Sequence, residues 1–317
     1  MKILFLVQKE QRVILDRFYS SICRHAEEAD LRRLTSEEQA DLKGYFHDHV
    51  DTSKYDRIVF FLRFKKEMKQ WRFMRTIPNL VMLEHDAYQN FIPGKYCGAY
   101  TRHYHRMPWL RVICSGAFVC ERLKQQEIDA AFVPKGYDQF LLKNLNRERA
   151  VDLGFVGSIK SGVYHQRKEF LARLADVEPL QVVRTQSGQE YLEKLNDIRF
   201  FVGADIGMGE YMIKNFEAMA CGCVLLAWRQ GNGEEAALGF EDMKNAVLYS
   251  DLAELREKLA LLRGNVALAQ NIADAGQQHT QTFFSFDVLG RAVVDALQPA
   301  LPKPEDYSLP WFKQLFG

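Results

Sequence analysis

The sequence predicts an α/β protein made of two doubly wound, Rossmann-like domains that face each other across a cleft. Three observations carry this reading. Short apolar runs of strand length alternate with segments of helical spacing along the whole chain. The alternation runs through twice, with a polar, charged stretch at 137–150 between the two rounds. Val224-Leu225-Leu226-Ala227-Trp228 is apolar without a break, the mark of a parallel strand covered on both faces. A chain of 317 residues suits two domains of ordinary size, and 47% hydrophobic with 26% charged residues places it among globular proteins. A formal net charge of +1 argues against nucleic acid as a partner, so any basic surface is local. The apolar start, residues 2–7, is too short for a signal peptide, and no stretch approaches the ~20 apolar residues of a membrane span. The expected location is the cytoplasm, with peripheral contact at the inner face of the membrane as an extension. Six cysteines show no paired metal spacing and read as reduced thiols.

In order, 3–7 is a buried first strand and 12–29 the first crossover helix, with Val13, Leu15, Phe18, Tyr19, Ile22 and Ala26 on one face. Residues 30–54 carry little pattern. His47, Asp48, His49 and Asp51 within them read as a solvated polar segment rather than a metal site. Strands follow at 58–62, 79–83, 111–114 and 130–133, with a helix over 118–126. After the 137–150 linker come strands at 151–156, 180–184, 199–202, 224–228 and 245–249. Helices are expected at 166–174, 190–195, 215–220, 252–262 and through much of 265–297. Gly222 stands where a helix ends in a left-handed C-cap. The expected domains are 1–140, 141–290, and a tail at 291–317 that packs back on the first domain. Ligands bind beyond the carboxyl ends of the strands in such sheets, so the site belongs in the cleft.

Two places in the second half suit an anionic ligand. The strand ending in Gly157 and Ser158 lets a ligand approach the backbone, and Lys160, His165, Arg167 and Lys168 follow just before or on the next helix. Cations at a helix start oppose its dipole, so they are not there for stability. The second place is the glycine-rich turn 203–210 that leads into Asn215-Phe216-Glu217-Ala218-Met219-Ala220-Cys221-Gly222.

Phe155-Val156-Gly157-Ser158, the 215–222 motif, and Asn245-Ala246-Val247-Leu248-Tyr249-Ser250-Asp251-Leu252-Ala253-Glu254-Leu255 together resemble the nucleotide-sugar glycosyltransferases of GT-B fold, nearest the retaining "glycosyl transferases group 1" type. Phe132 to Asp138 is similar to that family's interdomain boundary. The resemblance covers most of residues 150–290 and is loose over the first half. It implies that Glu217 binds the nucleotide ribose, that Lys214, Asn215 and Phe216 lie near the diphosphate, and that Gly157, Ser158 and Lys160 approach the donor. Arg167 and Lys168 resemble the basic pair that stabilises the leaving diphosphate, a role that needs no metal. The family's earlier glutamate, on the donor sugar, falls at Gly209 here: either the turn is one residue shorter and Glu210 takes its place, or the role is absent. His85 or Asp86, at the end of the 79–83 strand, orients the acceptor hydroxyl or simply closes a turn.

The implied activity is transfer of a sugar from a nucleotide-diphosphate donor to an acceptor hydroxyl, with retention, in cell-envelope polysaccharide or lipopolysaccharide synthesis. No cofactor or metal is expected beyond the donor. The expected partners are the nucleotide sugar and a glycan or glycolipid acceptor. The basic aromatic stretches 63–75 and 100–109, the first with Phe64, Met68, Trp71 and Met74 on one helical face, offer cations to an anionic membrane surface or to a phosphorylated or lipid-linked acceptor, or else the first is a crossover helix packed by its apolar face with its cations solvated. The alternatives are a non-catalytic nucleotide-sugar-binding protein on the same fold, or a dinucleotide-dependent oxidoreductase. The second lacks a G-x-G-x-x-G after a strand.

Overall fold

A computed structural model describes residues 1–11, 14–159 and 164–303. The first domain carries strands β1 (Lys2–Gln8), β2 (Glu28–Leu34), β3 (Arg57–Phe61), β4 (Leu80–Glu84), β5 (Arg111–Cys114) and β6 (Asp129–Phe132). Its helices are α1 (Asp16–His25), α2 (Leu42–His49), α3 (Phe64–Glu67), α4 (Trp71–Met74), α5 (Ala99–Tyr104) and α6 (Ala117–Lys124). The second domain carries β7 (Val151–Val156), β8 (Leu180–Val183), β9 (Ile198–Gly203), β10 (Val224–Trp228) and β11 (Val247–Tyr249). With them go α7 (His165–Ala175), α8 (Gln189–Asp197), α9 (Ile213–Ala220), α10 (Glu234–Leu238), α11 (Leu252–Gly264) and α12 (Val266–Phe283), and α13 (Phe286–Leu297) returns to the first domain.

Both sheets are parallel, with orders β2-β1-β3-β4-β5-β6 and β11-β10-β9-β7-β8. The strand order reverses between β1 and β3 in the first and between β7 and β9 in the second. These are the switch points at which open α/β sheets leave a crevice for ligands. Each sheet is covered on both faces by apolar clusters, which is why its central strands are continuously hydrophobic.

Among the described residues the chain crosses between the domains twice, side by side. Tyr137 N–H donates to Phe284 O and Phe286 N–H to Tyr137 O, at 3.0 and 2.9 Å. Past that crossing α13 lies on α1, with Leu289, Val293 and Leu297 in the first domain's core beside Phe18 and Ile22. Arg111 Nη1–H then donates to Ala296 O and Pro299 O, which seats the chain beyond the helix. The rest of the tail, from residue 304, lies outside the described residues.

Three sequence expectations change. The first helix ends at His25, not at 29, because Ala26 is extended and Glu28–Leu34 pairs with β1 as an edge strand. That strand is only half-buried and carries charges, so no apolar run marks it. The 63–75 stretch is two short helices instead of one amphipathic helix. Gln70 breaks it, its side chain donating to Gln39 O (2.8 Å) and accepting from Leu42 N–H (2.6 Å). The 137–150 segment is no free linker: Tyr137 and Leu142 are buried in the second domain's core, and Arg149 donates to Ile198 O and Cys221 O. Gly222 does end α9 in the left-handed region (φ +78°), with Cys223 N–H bonded to Ala218 O and Gly222 N–H to Met219 O.

Candidate active site in the interdomain cleft

At the second sheet's switch point, Gly157 follows β7. A Cβ there would lie 3.0 Å from Lys214 Cε and 2.9 Å from the Phe155 ring, so any larger residue would push Lys214 and that ring back from where they cross the strand end. Lys214 and Glu217 stand three apart on α9 and share a face. Tyr191 of α8 joins them: its hydroxyl donates to Glu217 Oε2 at 2.5 Å, and Lys214 Nζ lies 4.7 Å from its ring centroid. Burial raises the Glu217 pKa, against the opposing pull of Lys214 and the Tyr191 hydroxyl. Burial lowers the Lys214 pKa, while Glu217 works the other way.

Beside this face lies a buried ionic network. Arg167 Nη2–H donates to Asp205 Oδ1 at 2.5 Å and Nε–H to Ala204 O at 3.0 Å. The guanidinium also rests 4.2 Å from the Tyr164 ring centroid. Asp205 Oδ2 accepts from Met212 N–H (2.9 Å) and Asn215 Nδ2–H (2.6 Å). One carboxylate therefore ties α7, the glycine-rich turn and the start of α9 together.

The expected site residues separate here. Gly157, Lys214 and Glu217 meet at one place, and Ser158 is next to it, its carbonyl 3.4 Å from Arg167 Nη1. Lys160 lies outside the described residues. Arg167 and Lys168 do not face the same way. Lys168 is exposed on another side of α7, since neighbours on a helix point about 100° apart. The Arg167 charge is matched by Asp205. Phe216 turns its ring into the core against Phe284 (4.8 Å between centroids) and Phe240, so its side chain does not line this face. Asn215 acts on the turn through Asp205. Sequence reasoning missed Tyr191 and Asp205. The one signal for Asp205 was a lone carboxylate among glycines between a strand and a helix.

The two domains also meet through carboxylates. Glu210 is buried, ion-paired with Lys135, and accepts from Ser115 Oγ–H at 3.1 Å. Glu234, at the start of α10, accepts the Phe118 N–H at the start of α6 (3.0 Å). Its other oxygen, Oε1, is buried without a hydrogen-bond partner. Nothing in the sequence had singled out Glu234. Met208, from the glycine-rich turn, packs into the first domain's core.

On the first domain's side, Glu84 ends β4, and its Oε1 accepts the Asp86 N–H at 2.8 Å. His85 packs its ring against Phe18 and Phe61. Burial lowers its pKa to about 3, so the imidazole is neutral near pH 7. Asp86 opens to solvent in the cleft, yet the surrounding protein raises its pKa.

Burial, with Asp86 nearby, lifts Glu84 to about 8, and burial lifts Glu234 to about 7. A carboxyl raised in the folded state binds more protons there than when unfolded, so its contribution to stability falls as pH rises from the ordinary carboxyl range to the raised value. Glu84→Gln keeps the acceptor for Asp86 N–H and removes the titration. The stability gap between this variant and wild type should widen in the variant's favour from pH 5 to pH 8 in paired thermal melts. A gap constant over that range would show that Glu84 does not titrate there.

Two larger hollows, of about 410 and 530 Å³, sit away from the strand carboxyl ends. One lies by Arg57 and Asn79 at the amino ends of β3 and β4, the other between α2 and α4.

The family model for glycosyl transferase-like proteins matches residues 133–291, half of the chain. The chain belongs to that family. No curated protein sequence matches it. Solved structures share its fold at low identity. Sucrose-phosphate synthase from Thermosynechococcus elongatus superposes with a TM-score of 0.66 at 11% identity, over 99% of both chains. HepE from Anabaena, in complex with UDP and glucose, gives 0.64 at 15% identity over 95% of this chain and 100% of its own. T4 phage BGT, in complex with UDP and Mn2+, gives 0.57 at 14% identity over 94% and 100%. The family member described here is thus a two-domain GT-B protein. None of its helices, among the described residues, is long and apolar enough to cross a membrane.

Proposed function

We propose that the protein transfers a sugar from a nucleotide-diphosphate donor to an acceptor hydroxyl in the cleft. The observation that carries this reading is the face formed by Lys214, Glu217 and Tyr191 over Gly157 at the second switch point. A carboxylate there accepts from the two adjacent ribose hydroxyls. The ammonium beside it meets the diphosphate, and charge placed where charge develops lowers the barrier to departure. Two of the similar solved structures, both HepE, hold UDP-glucose or UDP with glucose, which supports a nucleotide hexose as donor.

In the same reading Lys214, with Arg167 behind it, supplies the positive charge without a metal. Asp86 and neutral His85 orient the acceptor. Retention and a role in cell-envelope polysaccharide or lipopolysaccharide synthesis rest on the resemblance to the group 1 type.

Incubation with a panel of nucleotide sugars should give slow donor hydrolysis for at least one of them, with the rate kept in EDTA. Binding with no turnover, with or without glycan acceptors, would point instead to a nucleotide-sugar-binding protein. Glu217→Gln still accepts from Tyr191, so the melting temperature should barely move. Its affinity for the matching nucleoside diphosphate should fall about tenfold, as for loss of a charge-assisted hydrogen bond. Equal affinity in titration calorimetry would remove Glu217 from the ribose.

A further inference from the structure

The two basic stretches of the first domain meet at one ring. Trp71, at the start of α4, is half-buried. Three guanidiniums stand over it: Arg106 at 4.8 Å from the ring centroid, Arg72 at 5.2 Å and Arg75 at 5.8 Å. Arg106 follows α5, so it is the packing of helices that gathers these side chains. Lys65, Lys69, Arg102 and His105 are exposed on or just after α3 and α5. Among the described residues neither Arg75 nor Arg106 pairs with a carboxylate.

The charge of the chain is segregated here. Residues 63–75 and 100–109 hold eight Lys and Arg against one acid, Glu67, a formal +7. The whole chain is +1, so everything else carries −6. Glu67 does not offset the cations at the surface. It is buried, its two oxygens have no hydrogen-bond partner among the described residues, and burial raises its pKa well above the ordinary carboxyl value. A ring face attracts a guanidinium only weakly at an exposed site, and three crowded over one ring repel one another. Anions laid over them relieve that repulsion.

The neighbouring surface says which anions. Beside Arg72, between α2 and α4, is the hollow of about 530 Å³. Phe46, Val50, Phe73 and Ile77 line it with apolar carbon, and the exposed Lys43 and Arg72 add cations. A soluble polyanion brings nothing to fill apolar space. A phospholipid brings a phosphate for the cations and hydrocarbon for the groove. Tryptophan favours the headgroup level of a bilayer, and an anionic leaflet attracts each nearby Lys or Arg.

We infer that this face of the first domain docks on an anionic phospholipid bilayer, with Trp71 at the headgroup level and Arg75 and Arg106 on lipid phosphates. Arg75 and Arg106 precede the amino ends of β4 and β5. The cleft lies beyond the carboxyl ends, so docking leaves it open to solvent. Docking does not depend on which reaction the cleft performs.

Sedimentation of the full chain with vesicles tests it. Phosphatidylglycerol vesicles should carry the protein down and phosphatidylcholine vesicles should not. Arg75→Gln with Arg106→Gln should weaken the partitioning about thirtyfold, the effect of two charges at an anionic surface, with melting temperature and UDP affinity unchanged. Lys143→Gln with Arg173→Gln removes two exposed charges from the second domain and should leave it unchanged. Phosphatidylglycerol with brominated chains should quench tryptophan fluorescence, and Trp71→Phe should lose part of that quenching. Absence of binding to phosphatidylglycerol would overturn the surface, as would equal binding to both lipids. Equal loss in the two double variants would reduce the effect to net charge and overturn it too. Quenching unchanged in Trp71→Phe would put a different tryptophan at the bilayer. Full displacement by polyglutamate, with no quenching by the brominated lipid, would make the face a site for soluble polyanions and overturn the bilayer as its partner.

Discussion

Asp205→Ala is expected to lower stability by about 3–5 kcal/mol, the range seen when one partner of a buried ion pair is removed. The substitution strips the guanidinium of Arg167 of its counter-charge inside the protein, where both side chains are almost wholly buried. It also strands Met212 N–H and the Asn215 amide, which Asp205 holds through its other oxygen. Asp205→Asn should cost less, because it keeps an acceptor for one of these donors. The double variant Arg167→Met with Asp205→Leu should cost less than Asp205→Ala alone, since no buried charge remains unpaired. Urea unfolding of the three variants measures this. A loss below 1 kcal/mol in Asp205→Ala would mean that Arg167 finds water or another partner.

Lys214→Gln is expected to reduce kcat by about 10²–10³, the usual cost of removing one group that stabilises developing charge. Lys168→Ala should leave kcat unchanged, because Lys168 is exposed on another side of α7. Burial lowers the Lys214 pKa from its ordinary value of 10.5. The sign follows: as pH rises through that lowered value the ammonium is lost, and activity falls at a pH below the ordinary lysine range. In Lys214→Arg the guanidinium keeps its charge, so the alkaline limb should disappear even if the rate is lower. A Lys214→Gln enzyme within threefold of wild type would take the lysine out of the reaction. These outcomes are read from steady-state kinetics on the donor found by the nucleotide-sugar panel.

Much of the architecture was legible. Parallel strands buried on both faces leave continuous apolar runs, so Ile3 to Val7 and Val224 to Trp228 announce themselves. The edge strand Glu28–Leu34 does not, because one side of it meets solvent and carries charge. The break at Gln70 was equally hidden, since its cause is a pair of hydrogen bonds to Gln39 and Leu42, about thirty residues away. In the site, Gly157 and Glu217 were legible from motif and spacing. Tyr191, Asp205 and Glu234 were not, because a lone tyrosine, aspartate or glutamate has no local pattern.

By itself, then, the sequence determined the two sheets, the helix stop at Gly222 and the membership of Glu217 in a recognisable motif. These follow from backbone propensity and from periodic burial, which neighbours in sequence decide. Only the tertiary structure decided which cation stands free. Arg167 and Lys168 are adjacent in sequence, but helix packing sends one into the protein to meet Asp205 and the other into solvent. The same packing sets Lys214 against Tyr191 and joins Glu210 to Lys135 across the cleft. Those pairings join residues 23 and 75 positions apart, so they depend on how helices and domains dock, which no short stretch of sequence encodes.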